Sequence, residues 1–137
     1  MTRDIVHYIV KNALIKEGWT ITHDPFPISF GIRKVFADLG AEKLLAATKG
    51  NEKIVVEIKS FVGISLITEL ERALGQFVMY RIWLAKNDPD RVLYIALGEE
   101  AYRDLFEDIS GRVLIEDQNL KLLVVNLEHE EIVSWIN

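Results

Sequence analysis

No cysteine occurs among the 137 residues. That excludes disulfides, thiolate-bound metals and cysteine nucleophiles. Histidine is scarce as well: His7, His23 and His129 are scattered and do not make a zinc site. No apolar run reaches the roughly 18 residues that a membrane-spanning helix needs. The opening MTRDIVHYIV lacks the apolar core of a signal peptide and reads as an amphipathic helix, so a cytoplasmic protein is expected. Positive charge is in deficit, with 16 Lys and Arg against 21 Asp and Glu, a net charge of −5. A chain that holds nucleic acid through phosphates usually shows a basic face, so bulk charge argues against broad DNA contact. A local basic patch or a bound metal ion still supplies positive charge where it is needed. No basic run with interleaved aromatics suggests single-strand binding. Prolines are confined to Pro25, Pro27 and Pro89, at loops or element edges, and no repeat, low-complexity run or linker appears. One domain over residues 1–137 is expected.

What is present is enough for a core: half of the residues are hydrophobic and 27% are charged. Ile5, Tyr8, Ile9, Leu14 and Ile15 recur at helical spacing, which predicts a helix over 4–17, with Asp4 as N-cap and Gly18 as the stop. Trp19–His23 alternate as a short strand. DPFPISFGI reads as a turn or irregular edge. Arg33–Leu39 and Lys43–Thr48 read as strands, and Lys49-Gly50-Asn51-Glu52 as a hairpin turn into KIVVEIKSF. The longest helix is expected over 66–86, with a broad stripe that includes Leu70, Ala73, Phe77 and Leu84. Gly75 inside it costs helix stability and suggests close approach of the helix to the sheet. Arg91–Leu97 reads as a central buried strand. A short helix over 99–106 and further strands at Arg112–Ile115, Lys121–Val125 and Glu131–Trp135 complete the chain. The order predicts an α/β sandwich around a mixed sheet.

KIVVEIKSF contains the chemistry. Side chains alternate along a strand, so Glu57 and Lys59 share one face, while Ile54, Val56 and Ile58 take the other, against the core. Val55 shares the charged side, which is therefore not simply solvent. Upstream, FADLGAEK places Asp38 at the end of its own strand, and in one sheet Asp38 and Glu57 can converge. Two carboxylates with the Ile58 carbonyl offer oxygen ligands suited to Mg²⁺, or to Mn²⁺ in its place. Lys59 beside them can position a water or stabilise charge on a phosphate. A lone E-x-K is more often a surface ion pair, worth about 0–1 kcal/mol; the addition of Asp38 favours a site.

Ala37-Asp38 followed by Glu57-Ile58-Lys59, with eighteen residues between the acids, resembles the PD-(D/E)XK nuclease superfamily. The usual proline of that pattern is Ala37 here. Gln76, in ALGQF, fits the polar residue that the superfamily carries on the helix after the E-x-K strand. The resemblance implies a restriction-endonuclease-like mixed β-sheet flanked by helices, with an αβββαβ core. It also implies a first-helix residue assisting the metal; Asp4, His7 and Glu17 are the candidates, and His7 reads more readily as a satisfied, half-buried residue. VKNALIKEGWTITHDP, DLGAEKLLAA, VEIKSF, ALGQF and the terminal WIN resemble the XisH family of fdxN-element excision controlling factors, found chiefly in cyanobacteria. That resemblance implies control of the excision of a DNA element, alongside an XisI-type partner. Three roles stay open: a Mg²⁺-dependent DNA endonuclease, a non-catalytic regulator of nuclease-like fold that directs a separate recombinase, and a structural partner with an inherited charged triplet. The apolar surplus and the late strands point to a homodimer or an XisI complex.

Overall fold

The computed structural model describes residues 3–30, 33–35, 44–61 and 65–137, with side chains left undescribed for residues 3, 4, 29, 30 and 33–35. The elements run α1 (Arg3–Lys16), β1 (Thr20–His23), β2 (Ile28–Phe30), β3 (Arg33–Val35), β4 (Leu44–Lys49), β5 (Glu52–Ile58), α2 (Leu66–Asn87), β6 (Arg91–Gly98), α3 (Glu99–Phe106), α4 (Ile109–Gln118), β7 (Leu122–Asn126) and β8 (Glu131–Ile136). Six strands form one mixed sheet in the order β1-β4-β5-β6-β7-β8. The centre, β5-β6-β7, is parallel, and the outer pairs are antiparallel. Each parallel step needs a long crossover, supplied by α2 and then by α3 with α4. The expected mixed sheet flanked by helices is therefore found, and its first part reads α1-β1-β4-β5-α2-β6 once the β2–β3 hairpin is set aside.

Alternation along the strands divides the core into two layers. Ile54, Val56 and Ile58 of β5, with Ala96, Leu123 and Val125, pack under α1 through Val6, Ile9, Val10, Ala13 and Leu14. Val55 of β5, with Leu44, Ala46, Leu93 and Ile95, packs under α2 through Leu70, Ala73, Phe77, Tyr80 and Leu84. The sequence assigned the core to the Ile54–Ile58 face; both faces are in fact covered. A strand buried on both sides is what a parallel sheet centre requires, and it explains why KIVVEI is nearly continuous in apolar residues.

Caps set the helix ends. Ser65 accepts from the Thr68 amide at 3.2 Å and starts α2. After α1, the Gly18 amide bonds the Ile15 carbonyl and the Trp19 amide bonds that of Leu14, with Gly18 at φ +92°. Asp4 lies inside the first turn of α1 instead of at its cap. Three further expectations change. Arg112–Ile115, expected as a strand, belongs to α4: Asp108 caps the helix by accepting from Gly111 at 3.0 Å, and Asn119 closes it in the left-handed region. Ile28–Phe30, expected as an irregular edge, pairs with β3 in a small second sheet. Gly75 faces open space, with no atom beyond its own stretch of helix within 4 Å of the position a Cβ would take, so close packing does not explain it. Gly111 is the glycine that packing demands: a Cβ there would lie 2.1 Å from the Leu105 carbonyl oxygen.

Candidate functional site

Glu57 and Lys59 share the face of β5 that α2 covers, because both keep the parity of Val55. Glu57 is paired with Leu44 on one side and Ile95 on the other. Its side chain is 2% exposed, and that of Lys59 is 7%. The Lys59 ammonium lies 3.3 Å from Glu57 Oε1. From the helix above, Gln76 Oε1 accepts a hydrogen bond from the same ammonium. The Lys59 amide donates to the Ala96 carbonyl at 2.9 Å, which extends the β5–β6 ladder and fixes the direction of the lysine stem. Three of the sequence-selected residues, Glu57, Lys59 and Gln76, thus meet in one cluster, with Glu57 and Lys59 buried and Gln76 half-buried.

A surface ion pair is the wrong description of Glu57 and Lys59. Burial of two charges is costly, and good geometry with added hydrogen bonds is what offsets the cost. The cluster sits where β5 ends and the sheet gives way to the segment before α2. Phe61 there takes φ +52°, a conformation aromatic residues seldom adopt, with its ring 8% exposed in the α2 layer. The Ser60 hydroxyl is buried with no hydrogen-bond partner among the described residues. Sequence reasoning missed both, since neither a left-handed phenylalanine nor an unmatched serine has a local signature.

Asp38 lies outside the described residues. The strand assigned to it is described over Arg33–Val35 and pairs with β2, away from the main sheet. Leu44, opposite Glu57, begins the strand that does neighbour β5. Among the described residues, no group of three His, Asp or Glu side chains could hold a metal ion. The donors present around Glu57 are a carboxylate and, next in the chain, the Ile58 carbonyl. On the β4 side the described register ends opposite Glu57, so no described strand partner covers Ile58 there. An oxygen-only donor set of this kind suits a hard cation such as Mg²⁺, which keeps several waters as ligands.

The first-helix candidates do not join this cluster among the described side chains. α1 covers the opposite face of the sheet. His7 Nε2 lies 2.9 Å from Asp24 Oδ1, and Lys11 donates to Asp24 Oδ2 at 3.0 Å. Burial pushes the Asp24 carboxyl up, but hydrogen bonds and charge from His7 and Lys11 outweigh it and hold the carboxyl below its ordinary value. His7 is half-buried as expected, but only its Nε2 is paired: Nδ1 is buried with no hydrogen-bond partner among the described residues. Glu17 lines a cavity with Lys49, Asn51 and Glu52, at the opposite end of β5 from Lys59. The Asp4 side chain is outside the described set. His129 is exposed in the β7–β8 turn, where its amide donates to Asn126.

Among the described residues no helix is long and apolar enough to cross a membrane. No curated protein matches the chain. A crystal structure of an fdxN element excision controlling factor protein from Anabaena variabilis is 43% identical, with a TM-score of 0.89 over 98% of this chain and 99% of that one. An XisH family protein from Nostoc punctiforme PCC 73102 is 41% identical, with a TM-score of 0.90 over 98% of this chain and 100% of that one. The family profile described as XisH protein matches residues 1–133. This chain belongs to the XisH family.

Proposed function

We propose that the protein is an excision-controlling factor for a developmentally excised DNA element, and that it carries a Mg²⁺-dependent, endonuclease-like site of PD-(D/E)XK type that hydrolyses DNA phosphodiesters. The name of the Anabaena relative supports the first part. The second rests on one observation: buried Glu57 and Lys59 meet half-buried Gln76 at the end of β5. Glu57, the Ile58 carbonyl and Asp38 would hold Mg²⁺ or Mn²⁺. When bound, such an ion supplies a Lewis acid for the phosphate and lowers the pKa of a coordinated water.

The chain's own residues have separate tasks. Glu57 presents a carboxylate already shielded from bulk water, where electrostatic interactions are stronger. The Gln76 carbonyl holds the Lys59 ammonium in place beside that carboxylate. Lys59 then orients a water toward the phosphorus and stabilises negative charge on the phosphate oxygens as the bond to the leaving oxygen breaks. The test is incubation of supercoiled plasmid with the protein and Mg²⁺ or Mn²⁺, with and without an XisI-type partner. Nicking is expected, with a loss of about 10²-fold or more in Asp38→Ala and Lys59→Ala. No nicking, or nicking untouched by both changes, sinks the nuclease.

A non-catalytic role has its own support. Residues 99–118 hold seven acids against two bases, which leaves −5, equal to the net charge of the whole chain. That acidic α3–α4 surface repels DNA and suits a protein partner. In this second case the protein binds an XisI-type partner or DNA and directs a separate recombinase, with homodimerisation as a further arrangement. Calorimetry separates the two: Mn²⁺ binding that vanishes in Glu57→Gln supports the metal site, and absence of binding favours the regulator.

A further inference from the structure

A second site lies on the same side of the sheet, at the other end of the strands. Arg91 opens β6 and pairs with Lys53, whereas Ile95 pairs with Glu57. Four residues of strand, roughly 13 Å, separate the two levels. Here α2, the start of β6 and the approach to β7 enclose a cavity of about 190 Å³. Its floor is apolar, from Phe77, Leu84 and Leu93, which are buried to 4% exposure or less. Its rim carries three cations, Arg81, Arg91 and Lys121.

Two of these cations are held in position by the fold. Arg81 Nη1 donates to the Gln118 carbonyl at 2.5 Å, and its guanidinium lies 5.1 Å from the centre of the Phe77 ring. Arg91 Nε donates to Asp88 at 2.9 Å. A guanidinium carries five N–H donors, so each arginine retains donors beyond these bonds. Lys121 is half-buried, and its ammonium has no hydrogen-bond or ion-pair partner among the described residues. Asp88 is bonded to Arg91, and no carboxylate lines the cavity itself. The local sign is positive in a chain whose net charge is −5.

We propose that this cavity binds a small organic carboxylate, with the apolar part on the Phe77–Leu84–Leu93 floor and the carboxylate at the Lys121–Arg81 rim. Planar guanidinium forks match carboxylate geometry, and the Lys121 ammonium supplies a charge that is unmatched among the described residues. The volume lies below the roughly 300–1,000 Å³ of drug-sized pockets, so the ligand is of small-metabolite size. Apolar walls disfavour a bare inorganic anion, which would lose hydration without compensation.

The probes are sodium benzoate and sodium hexanoate, followed by ¹H–¹⁵N NMR titration and calorimetry of the full chain. Saturable binding with a Kd of about 1 mM or tighter is expected, with amide shifts centred on Arg81, Asn119 and Lys121. Lys121→Met should weaken it about tenfold or more, and Lys121→Arg should retain it. Benzyl alcohol and inorganic phosphate should bind far more weakly. No saturation, equal binding of benzyl alcohol or phosphate, or an affinity indifferent to Lys121→Met would overturn the assignment. Each readout is independent of whether the Glu57–Lys59 cluster cuts DNA.

Discussion

Glu57 stands in β5 between Leu44 and Ile95, which are aliphatic and buried, and Lys59 follows directly after the strand ends. A protein that needed only a stable strand would place aliphatic residues there too. The pair therefore costs stability relative to an apolar isostere, and such a cost is common at functional sites. Lys59→Met alone strands a buried carboxylate and should destabilise by about 3–5 kcal/mol, while Glu57→Leu with Lys59→Met should recover most of that loss. Urea denaturation of the two single variants and the double variant measures the cycle; additive losses would contradict it. Asp24 is a second case in which surroundings decide the chemistry. Its folded carboxyl titrates below the ordinary value of 3.8, because His7 and Lys11 favour the ionised form. A depressed acid stabilises fully above its unfolded pKa and loses that contribution as pH falls through the folded one. Asp24→Asn should therefore lower stability near neutral pH and flatten the acid limb below about pH 4, as thermal melts across pH would record.

On the scale of elements, local signals located α1, α2, β5 and β6 well because each has a strong period or a clear stop. Arg112–Ile115 misled because RVLI has the apolar run of a strand, and periodicity over four residues cannot distinguish a strand from a helix turn. The cap at Asp108 and the left-handed Asn119 decide the matter, and both are weak in sequence alone. The glycines invert in the same way. Gly111→Ala would drive a methyl group into the α3 backbone at Leu105 and Phe106, and a loss of about 1–3 kcal/mol or more is expected. Gly75→Ala meets nothing, and should stabilise α2 by about 0.5–1 kcal/mol through helix propensity and a less flexible unfolded chain. Denaturant midpoints of the two variants should move in opposite directions; a shared direction would refute the packing assignments.

For the whole molecule, charge distribution matters more than net charge. The excess of acid lies in 99–118, while the arginines and lysine of the second cavity lie at the other end of the sheet from Glu57. DNA binding through a nuclease-like site would then depend on added divalent cation more than on a basic surface. Fluorescence anisotropy with duplex DNA should show weak binding in EDTA and tighter binding with Mn²⁺. Tight binding in EDTA with a steep salt dependence would instead indicate many lysine and arginine contacts to phosphates.

The amino-acid order alone determined the family, the mixed α/β class and the choice of Glu57, Lys59 and Gln76, because motif spacing and hydrophobic period are local properties of the chain. It did not determine that the charged face of β5 is a second core layer. Only the tertiary structure decided that, by laying α2 over Val55 and Glu57 while α1 took Val56 and Ile58. Burial, the hydrogen bond from Lys59 to Gln76 and the cation-rimmed cavity depend on segments far apart in sequence, and a one-dimensional pattern carries no measure of how such segments pack.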